Sequence, residues 1–222
     1  MTNEITKTAK RIQDIFKKYN IKVHVTDEMF LKFAKFYFFL IEYNKKYNLT
    51  RLTAFEDVAI KHFVDCVYVA QLMDLPPTLL DLGTGAGFPG VPLKIISPQT
   101  RILLAEGVQK KVDFLKELRQ HLDLKGLDII GRNVDSKMQY PVTGVITRAV
   151  EPISATLKNV TNCLQSQGYA MFMKTPGIEN EITEAQMGFA ENFEIVENID
   201  YKLGTSSHDR KLVVFRKRRT TV

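Results

Sequence analysis

The stretch that decides the fold is Leu79-Leu80-Asp81-Leu82-Gly83-Thr84-Gly85-Ala86-Gly87-Phe88-Pro89-Gly90. The apolar run from Thr78 to Leu82 predicts a short buried strand. Four glycines then fall within eight residues, and Pro89 opens the next segment. Glycine permits positive φ and lets the backbone approach a ligand closely, and proline suits the first position of a helix. The pattern therefore predicts a strand, a tight turn and a helix start, where free N–H groups and the helix dipole favour an anionic group.

The glycine pattern alone does not identify the ligand. Gly85-Ala86-Gly87-Phe88-Pro89-Gly90 fits the G-x-G-x-x-G template of dinucleotide sites, and a glycine-rich turn in an ordinary βα unit remains open. Two carboxylates narrow the choice. Asp81 precedes the first glycine by two positions, and a second apolar run ends in Glu106, about 20 residues on, where such folds hold ribose hydroxyls. The order of these features favours a site for a nucleotide-containing cofactor.

Composition places the chain among globular proteins with one sizeable core. It has 222 residues, of which 45% are hydrophobic and 25% charged. The net charge of +6 allows a polyanionic partner. Cys66 and Cys163 lie far apart, which predicts buried thiols and neither a disulfide nor a metal site. The sequence has no secretory signal and no membrane-spanning run, so we expect a cytoplasmic protein without a membrane partner.

Helical periodicity dominates the first third of the chain, and strands alternate with helices after it. Helices are predicted over residues 4–19, 27–47 and 56–75. Strands are predicted over 78–82, 102–105, 127–131, 144–147 and 169–174, with helices over 89–97, 110–122, 153–164 and 178–192. This alternation predicts a mainly parallel sheet, and two last strands, 194–201 and 211–217, are expected to pair antiparallel.

The segment from Asp81 to Gly90 resembles the S-adenosylmethionine (SAM) motif of class I methyltransferases. More narrowly, it resembles that of the small-subunit ribosomal RNA guanine-N7 methyltransferase G family, also called glucose-inhibited division protein B. Tyr47-Asn48-Leu49-Thr50, followed by His62 and Asp65, is similar to the family's YNLT…(K/R)H…D stretch. Thr147-Arg148-Ala149 resembles its S-R-A motif, and Lys110-Lys111 matches its basic pair. The resemblance runs from Tyr47 to the strand that contains Leu212.

The resemblance implies a class I SAM-dependent methyltransferase fold, Rossmann-like, with a mostly parallel seven-stranded sheet that has helices on both faces. It implies an N-terminal helical cap over residues 1–75 and a SAM-binding core over 76–222. The glycine turn would receive the methionine end of SAM beside Asp81, Glu106 would accept the ribose hydroxyls, and Val134 and Asp135 would lie at the adenine. The implied cofactor contacts are Asp81, Gly83, Gly85, Gly87, Phe88, Glu106, Val134, Asp135 and Arg148, with no metal.

The implied reaction is methylation of N7 of a guanine in the decoding-region loop of 16S rRNA, by a cytoplasmic monomer. The N7 lone pair lies in the ring plane and is unprotonated at neutral pH, so the reaction needs orientation more than a general base. Arg148, at a strand's carboxyl end, matches the family's functional arginine and is the predicted catalytic residue. It would position the base or a nearby phosphate. A lone histidine such as His62 is more often a packing residue, and we assign it no catalytic role.

Two sites depart from the family pattern, and several functions remain open. Ala105-Glu106-Gly107 stands where the family has D-S, and Met173-Lys174-Thr175-Pro176-Gly177 replaces a tighter M-K-G, which leaves the role of Lys174 open. The alternatives are an NAD(P)-dependent oxidoreductase, a non-catalytic RNA-binding protein on the same fold, and a methyltransferase for a small molecule or a protein. Basic groups that could meet RNA are spread along the chain: Lys45-Lys46, Arg51, Lys61, Lys110-Lys111 and Arg216-Lys217-Arg218-Arg219.

Overall fold

A computed structural model describes residues 2–148, 151–203 and 209–219 of the chain. One seven-stranded sheet has the strand order β3-β2-β1-β4-β5-β7-β6. The strands are β1 Thr78–Leu82, β2 Arg101–Ala105, β3 Leu127–Ile130, β4 Val142–Arg148, β5 Leu164–Lys174, β6 Phe193–Lys202 and β7 Asp209–Lys217. The helices are α1 Thr2–Lys18, α2 Asp27–Tyr47, α3 Phe55–Val58, α4 Asp65–Leu72, α5 Gly90–Ile96, α6 Gln109–His121, α7 Ile153–Val160 and α8 Glu179–Gly188, with a π-helix, Ala59–Val64, between α3 and α4.

The sheet is parallel from β3 to β5, and β7 pairs antiparallel with both β5 and β6. The predicted parallel sheet with a closing antiparallel pair is therefore confirmed. In β1, Leu82 lies beside Ala105 of β2, and Asp81 lies beside Ile146 of β4. This register brings the carboxyl ends of the three central strands together. There, Asp81 is the last residue but one of β1, Glu106 follows β2, and Arg148 ends β4. Among the described residues, no helix has the length and apolar character needed to cross a membrane.

Local signals fix several boundaries accurately. Helix α2 begins after Thr26, whose Oγ1 accepts a hydrogen bond from the Met29 N–H at 3.3 Å. It ends at Tyr47, and the capping residue Asn48 adopts φ 49°. The predicted limits of α2 and β1 match the structure to the residue. The start of α5 was predicted one residue early, because Pro89 is its N-cap and not its first helical residue.

The prediction was wrong at the junction of α7 and β5. Helix α7 ends at Val160, and β5 begins at Leu164. Leu164 lies beside Val142 of β4, and Gln167, with φ 65°, bends the strand before it continues along β4. Lys217 Nζ donates to the carbonyl of Leu164 at 2.7 Å, which holds this bend against β7. Sequence periodicity cannot reveal such a bend, because it is stabilised from a distant strand.

The hydrophobic core is continuous from the N-terminal helices to the sheet. Phe33, Phe36 and Phe63 are fully buried, and they belong to the same cluster as Leu79 of β1 and Ile146 of β4. A second cluster lies on the other face of the sheet, beneath α7 and α8. The N-terminal helices thus pack directly on the sheet, and the division of the chain between residues 75 and 76 stays a prediction.

Candidate functional site

The glycine turn after β1 forms one side of the site. Gly83, Gly85 and Gly87 adopt φ values of 69°, 62° and 94°, which side chains rarely tolerate. A Cβ at Gly85 would meet nothing within 4 Å, whereas one at Gly87 would lie 2.7 Å from Val91 Cγ2. Gly85 therefore faces open space at the sheet edge, where a ligand can approach the backbone, and Gly87 permits close packing against α5.

Asp81 lies beneath this turn and holds it to α5. It is fully buried, and its Oδ2 accepts hydrogen bonds from Thr84 Oγ1 at 2.6 Å and from the Gly90 N–H at 2.7 Å. Its Oδ1 is also buried and has no partner among the described residues. Burial raises the pKa of this carboxyl to about 6, against the lowering effect of its two hydrogen bonds. The unpartnered oxygen can accept a hydrogen bond from a cationic group that reaches it.

Glu106, directly after β2, faces the same turn. Its Oε2 accepts from the Gly85 N–H at 3.1 Å, and its Oε1 accepts from the Val108 N–H at 2.8 Å. Lys111 Nζ lies 3.6 Å from Oε2. Each carboxylate oxygen carries two lone pairs, so both retain capacity for a hydroxyl donor. The two backbone bonds fix the orientation of this carboxylate before any ligand arrives.

The loop after β3 supplies the third side. Val134 is buried, and Asp135 is exposed, with its Oδ1 accepting from the Lys137 N–H at 2.9 Å. A Cβ at Gly107 would lie 2.3 Å from Asn133 Oδ1, so the loops after β2 and β3 touch at this glycine. The loop that carries Val134 and Asp135 thus touches the residue that follows Glu106, and the contacts of Val134 and Asp135 with the adenine stay a prediction.

Phe88, a predicted cofactor contact, has its side chain buried against the N-terminal helices. It stacks on Phe36 of α2, with ring centroids 5.1 Å apart, and on the His62 ring at 4.2 Å. Its role in cofactor binding stays a prediction, and any direct contact would come from its backbone or ring edge. The packing joins the glycine turn mechanically to α2 and the π-helix.

Arg148 ends β4 and turns its guanidinium toward the π-helix. Its Nη1 donates to the Lys61 carbonyl at 3.0 Å, and its Nη2 lies 3.0 Å from His62 Nδ1. The guanidinium carbon also lies 5.3 Å from the centroid of the Phe88 ring. Ala149, the last residue of the predicted motif, lies outside the described residues.

Sequence reasoning missed His62 as a part of this site. The side chain is buried, and its Nε2 lies 3.2 Å from Thr50 Oγ1. Burial, and then the charge of Arg148, lowers the pKa of His62 to about 3, so the imidazole is neutral. The signal available in the sequence was the Tyr47-Asn48-Leu49-Thr50 motif that precedes His62. The structure adds that His62 lies in a π-helix, a feature frequent at functional sites.

Asp65 is a second missed residue, and it connects three distant elements. Its Oδ2 lies 3.6 Å from Arg148 Nη1, and its Oδ1 accepts from Arg210 Nε at 3.2 Å and from the Tyr201 hydroxyl at 3.3 Å. Burial, followed by the charge of Asp65, raises the pKa of Tyr201, which therefore remains a donor. This carboxylate ties α4 to β4 and to the β6–β7 pair.

Some of the basic side chains that are predicted to contact RNA already form ion pairs within the protein. Lys61 Nζ lies 2.7 Å from Asp57, and Arg216 and Arg218 share Glu194 at 2.6 and 3.2 Å. Lys174, whose role the sequence does not predict, donates to the Glu151 carbonyl and to Glu181, and these bonds hold the loop after β5.

Cys66 and Cys163 are buried free thiols. In the described ranges, no three His, Cys, Asp or Glu side chains are placed to hold a metal.

Comparison with known proteins agrees with this geometry. The profile of the family described as "rRNA small subunit methyltransferase G" matches residues 29–213. The chain is 44% identical, over 96% of its length and 84% of the relative's, to "Ribosomal RNA small subunit methyltransferase G 2" of Bdellovibrio bacteriovorus. It is 32% identical to "Ribosomal RNA small subunit methyltransferase G" of Desulforamulus reducens, over 82% of this chain and 77% of that one. Among solved structures, the chain is similar to that of M. jannaschii TYW2 in complex with AdoMet, with a TM-score of 0.54 and 16% identity. The match covers 70% of this chain and 74% of that one. This similarity confirms the predicted fold class.

Proposed function

The chain belongs to the rRNA small subunit methyltransferase G family, and from that premise we propose that it transfers a methyl group from SAM to N7 of a guanine in the decoding-region loop of 16S rRNA. The observation that carries the proposal is the convergence of the Gly83–Gly87 turn, Asp81 and Glu106 at one sheet edge, beside Arg148. The family membership supplies the small-subunit RNA as the substrate.

The residues at this edge fit SAM. The unpartnered, buried Oδ1 of Asp81 suits the ammonium of the methionine end, and the open space over Gly85 admits its backbone-like atoms. Glu106, oriented by two backbone N–H groups, would accept the ribose hydroxyls, and Val134 and Asp135 would lie at the adenine. Gly83 and Gly87 shape the turn, and Phe88 anchors it. When bound, SAM supplies a methyl group made electrophilic by its sulfonium.

The chain's own contribution to the reaction is orientation. Guanine N7 is a nucleophile without deprotonation, so no side chain has to remove a proton first. A positive charge develops on the base as the methyl is transferred, and a cation in contact with N7 would oppose it. We therefore propose that Arg148 acts as the catalytic residue through another acceptor, either guanine O6 or a phosphate oxygen, and that it orients the base.

We further propose that residues 1–75 form a cap over the core of residues 76–222, and that the protein acts as a cytoplasmic monomer. The cytoplasm is where small-subunit RNA is available to a modifying enzyme. Lys45, Lys46, Arg51 and Lys110 lie on exposed surface and would contact RNA phosphates. Light scattering with and without RNA tests the monomer.

The test is methyl transfer from labelled SAM to small ribosomal subunits from a strain that lacks this gene, followed by nucleoside analysis. We expect label in 7-methylguanosine with the wild type and none with Gly85→Asp. Gly126→Asp is the control for the backbone conformation, because Gly126 adopts a similar φ of 70° in the turn before β3, at the amino end of the parallel strands. A Cβ at Gly126 would lie 3.0 Å from Lys94 Nζ, the far end of a flexible side chain. Equal loss in both variants would point to a folding defect.

Other outcomes identify the alternatives. SAM binding without label in 7-methylguanosine would reject this acceptor and leave a methyltransferase for another substrate. A thermal shift with NAD(H) or NADP(H) and none with SAM would identify an oxidoreductase. RNA binding that survives Asp81→Ala, without turnover in the wild type, would identify a non-catalytic RNA-binding protein.

A further inference from the structure

Arg148 determines which nitrogen of His62 carries the proton. A guanidinium has only donors, so the bond between Arg148 Nη2 and His62 Nδ1, at 3.0 Å, requires Nδ1 to accept. A neutral imidazole with Nδ1 as the acceptor carries its hydrogen on Nε2. Nε2 lies 3.2 Å from Thr50 Oγ1, which is the acceptor available for that hydrogen. The tautomer of His62 is thus fixed from both sides.

Thr50 is itself held in place by the motif around it. Its backbone N–H donates to Asn44 Oδ1 at 2.8 Å, and its Oγ1 accepts from the Leu52 N–H at 3.1 Å. Asn48, with φ 49°, ends α2 and turns the chain back toward this site. The segment from Tyr47 to Thr50 therefore presents a fixed acceptor to His62.

We propose that His62 is a positioning residue for methyl transfer: Thr50 holds it as the Nε2–H tautomer, and its Nδ1 fixes Arg148 for contact with an oxygen of the target nucleotide. This inference rests on the proposed function, because the nucleotide is its premise. His62 itself would touch neither the base nor the cofactor and would remove no proton.

The remaining donors of Arg148 are suited to such a contact. The Lys61 carbonyl and Cys66 Sγ accept from Nη1, and His62 accepts from Nη2. The Nε–H and a second Nη2 hydrogen have no acceptor among the described residues. These two hydrogens point to the same side of the planar group and form a fork for paired oxygen acceptors. The Arg148 side chain is 18% exposed, so it is not fully enclosed by the protein. Stacking of His62 on Phe88 prevents the imidazole from turning away.

Two substitutions separate hydrogen bonding from packing. In His62→Asn, the amide oxygen occupies the place of Nδ1 and can accept from Arg148. In His62→Gln, the longer amide can reach Thr50 but offers no acceptor at the Nδ1 position. Both variants lose the ring that stacks on Phe88, so we expect similar decreases in melting temperature.

The measurement is steady-state kinetics of RNA methylation, with SAM affinity from calorimetry. We expect His62→Gln to lower kcat about 10- to 100-fold, the range for a lost hydrogen bond to a charged group, with an unchanged Kd for SAM. We expect His62→Asn to keep kcat within about threefold of the wild type, because the acceptor for Arg148 is restored. Equal losses in the two variants, or a greater loss in His62→Asn, would overturn the inference.

A spectroscopic measurement tests the tautomer without substrate. The ¹⁵N spectrum of histidine-labelled protein should show His62 with a protonated Nε2 and an unprotonated Nδ1, and Thr50→Val should disturb this state. A protonated Nδ1 in the wild type would refute the inference, even in a protein with full activity. Absence of 7-methylguanosine with the wild type would refute the proposed function, whereas the spectrum would still decide the assignment of His62.

Discussion

Replacement of Asp65 by asparagine should cause a large loss of stability, because this carboxylate serves two guanidinium groups. Its side chain is 4% exposed, and those of Arg148 and Arg210 are 18% and 19% exposed. Removal of one partner from a buried charge pair costs about 3–5 kcal/mol, because the remaining charge stays buried without compensation. In Asp65→Asn, two arginines would be left without their carboxylate, so we expect a loss in the upper part of that range.

The matched control is Asp128→Asn. Asp128 Oδ2 accepts from Arg101 Nε at 3.1 Å and from Arg101 Nη2 at 2.8 Å, but the two side chains are 45% and 52% exposed. Exposed pairs of this kind contribute about 0–1 kcal/mol, because water and salt screen them. Urea unfolding at pH 7, followed by circular dichroism, would give the free energy of unfolding for both variants.

A further comparison separates charge from packing. If the penalty in Asp65→Asn arises from uncompensated arginines, Arg210→Gln added to Asp65→Asn should restore part of the lost stability. Costs of Asp65→Asn and Asp128→Asn that agree within about 1 kcal/mol, the value of an exposed pair, would show that burial of the Asp65 carboxylate does not set the penalty. A further loss from Arg210→Gln equal to its full separate cost would show that the arginines are not left uncompensated.

Three other predictions follow from individual side chains. Asp81→Asn should weaken SAM binding about 10- to 100-fold in calorimetry, the scale of a lost charged hydrogen bond. The affinity of the wild type for SAM should fall as the pH drops through about 6, where Asp81 takes up a proton. A SAM affinity that is independent of pH from 5 to 7.5 would contradict this prediction. His62 has a pKa of about 3 in the folded protein, below its usual 6.5, so its contribution to stability is complete above pH 6.5 and is lost as the pH falls toward 3. His62→Asn should therefore lose less free energy of unfolding than the wild type between pH 7 and 4.5. Equal losses in the two proteins would refute this prediction. Gly90→Ala should destabilise by about 1–3 kcal/mol in urea, because its Cβ would lie 2.3 Å from Leu104 Cδ2, whereas Gly188→Ala, with nothing within 4 Å, should not destabilise; similar values for both would contradict the packing argument.

The parts of the fold set by local signals were predictable from the sequence. The run from Thr78 to Gly90 specifies a strand, a positive-φ turn and a helix, and those elements form where they were expected. Thr26 and Asn48 mark the ends of α2 because each makes a capping interaction within a few residues. The order of alternating elements then predicts the sheet, since right-handed crossovers leave few arrangements.

The contacts between site residues that lie far apart in the sequence were not predictable in the same way. Asp65 and Arg210 are 145 positions apart, and no local pattern links them. A single histidine on a helix most often packs, so the sequence predicts no catalytic role for His62. Nothing in the residues next to His62 reveals its contact with Arg148, 86 positions later. Such contacts depend on the position and orientation of the N-terminal helices on the sheet. Hydrophobic periodicity specifies neither.

These long-range contacts cross the proposed boundary between the cap, residues 1–75, and the core, residues 76–222. The acceptors that hold Arg148 are the Lys61 carbonyl and His62, and both belong to residues 1–75. Phe88, in the glycine turn, is buried mainly by Phe36 and His62 from the same segment. A chain of residues 76–222 alone would expose the Phe88 ring and leave the Arg148 guanidinium without those partners. We therefore propose that the cap forms part of the cofactor and substrate site, because its packing sets the position of the arginine. We expect the core to require the cap for both folding and methyl transfer.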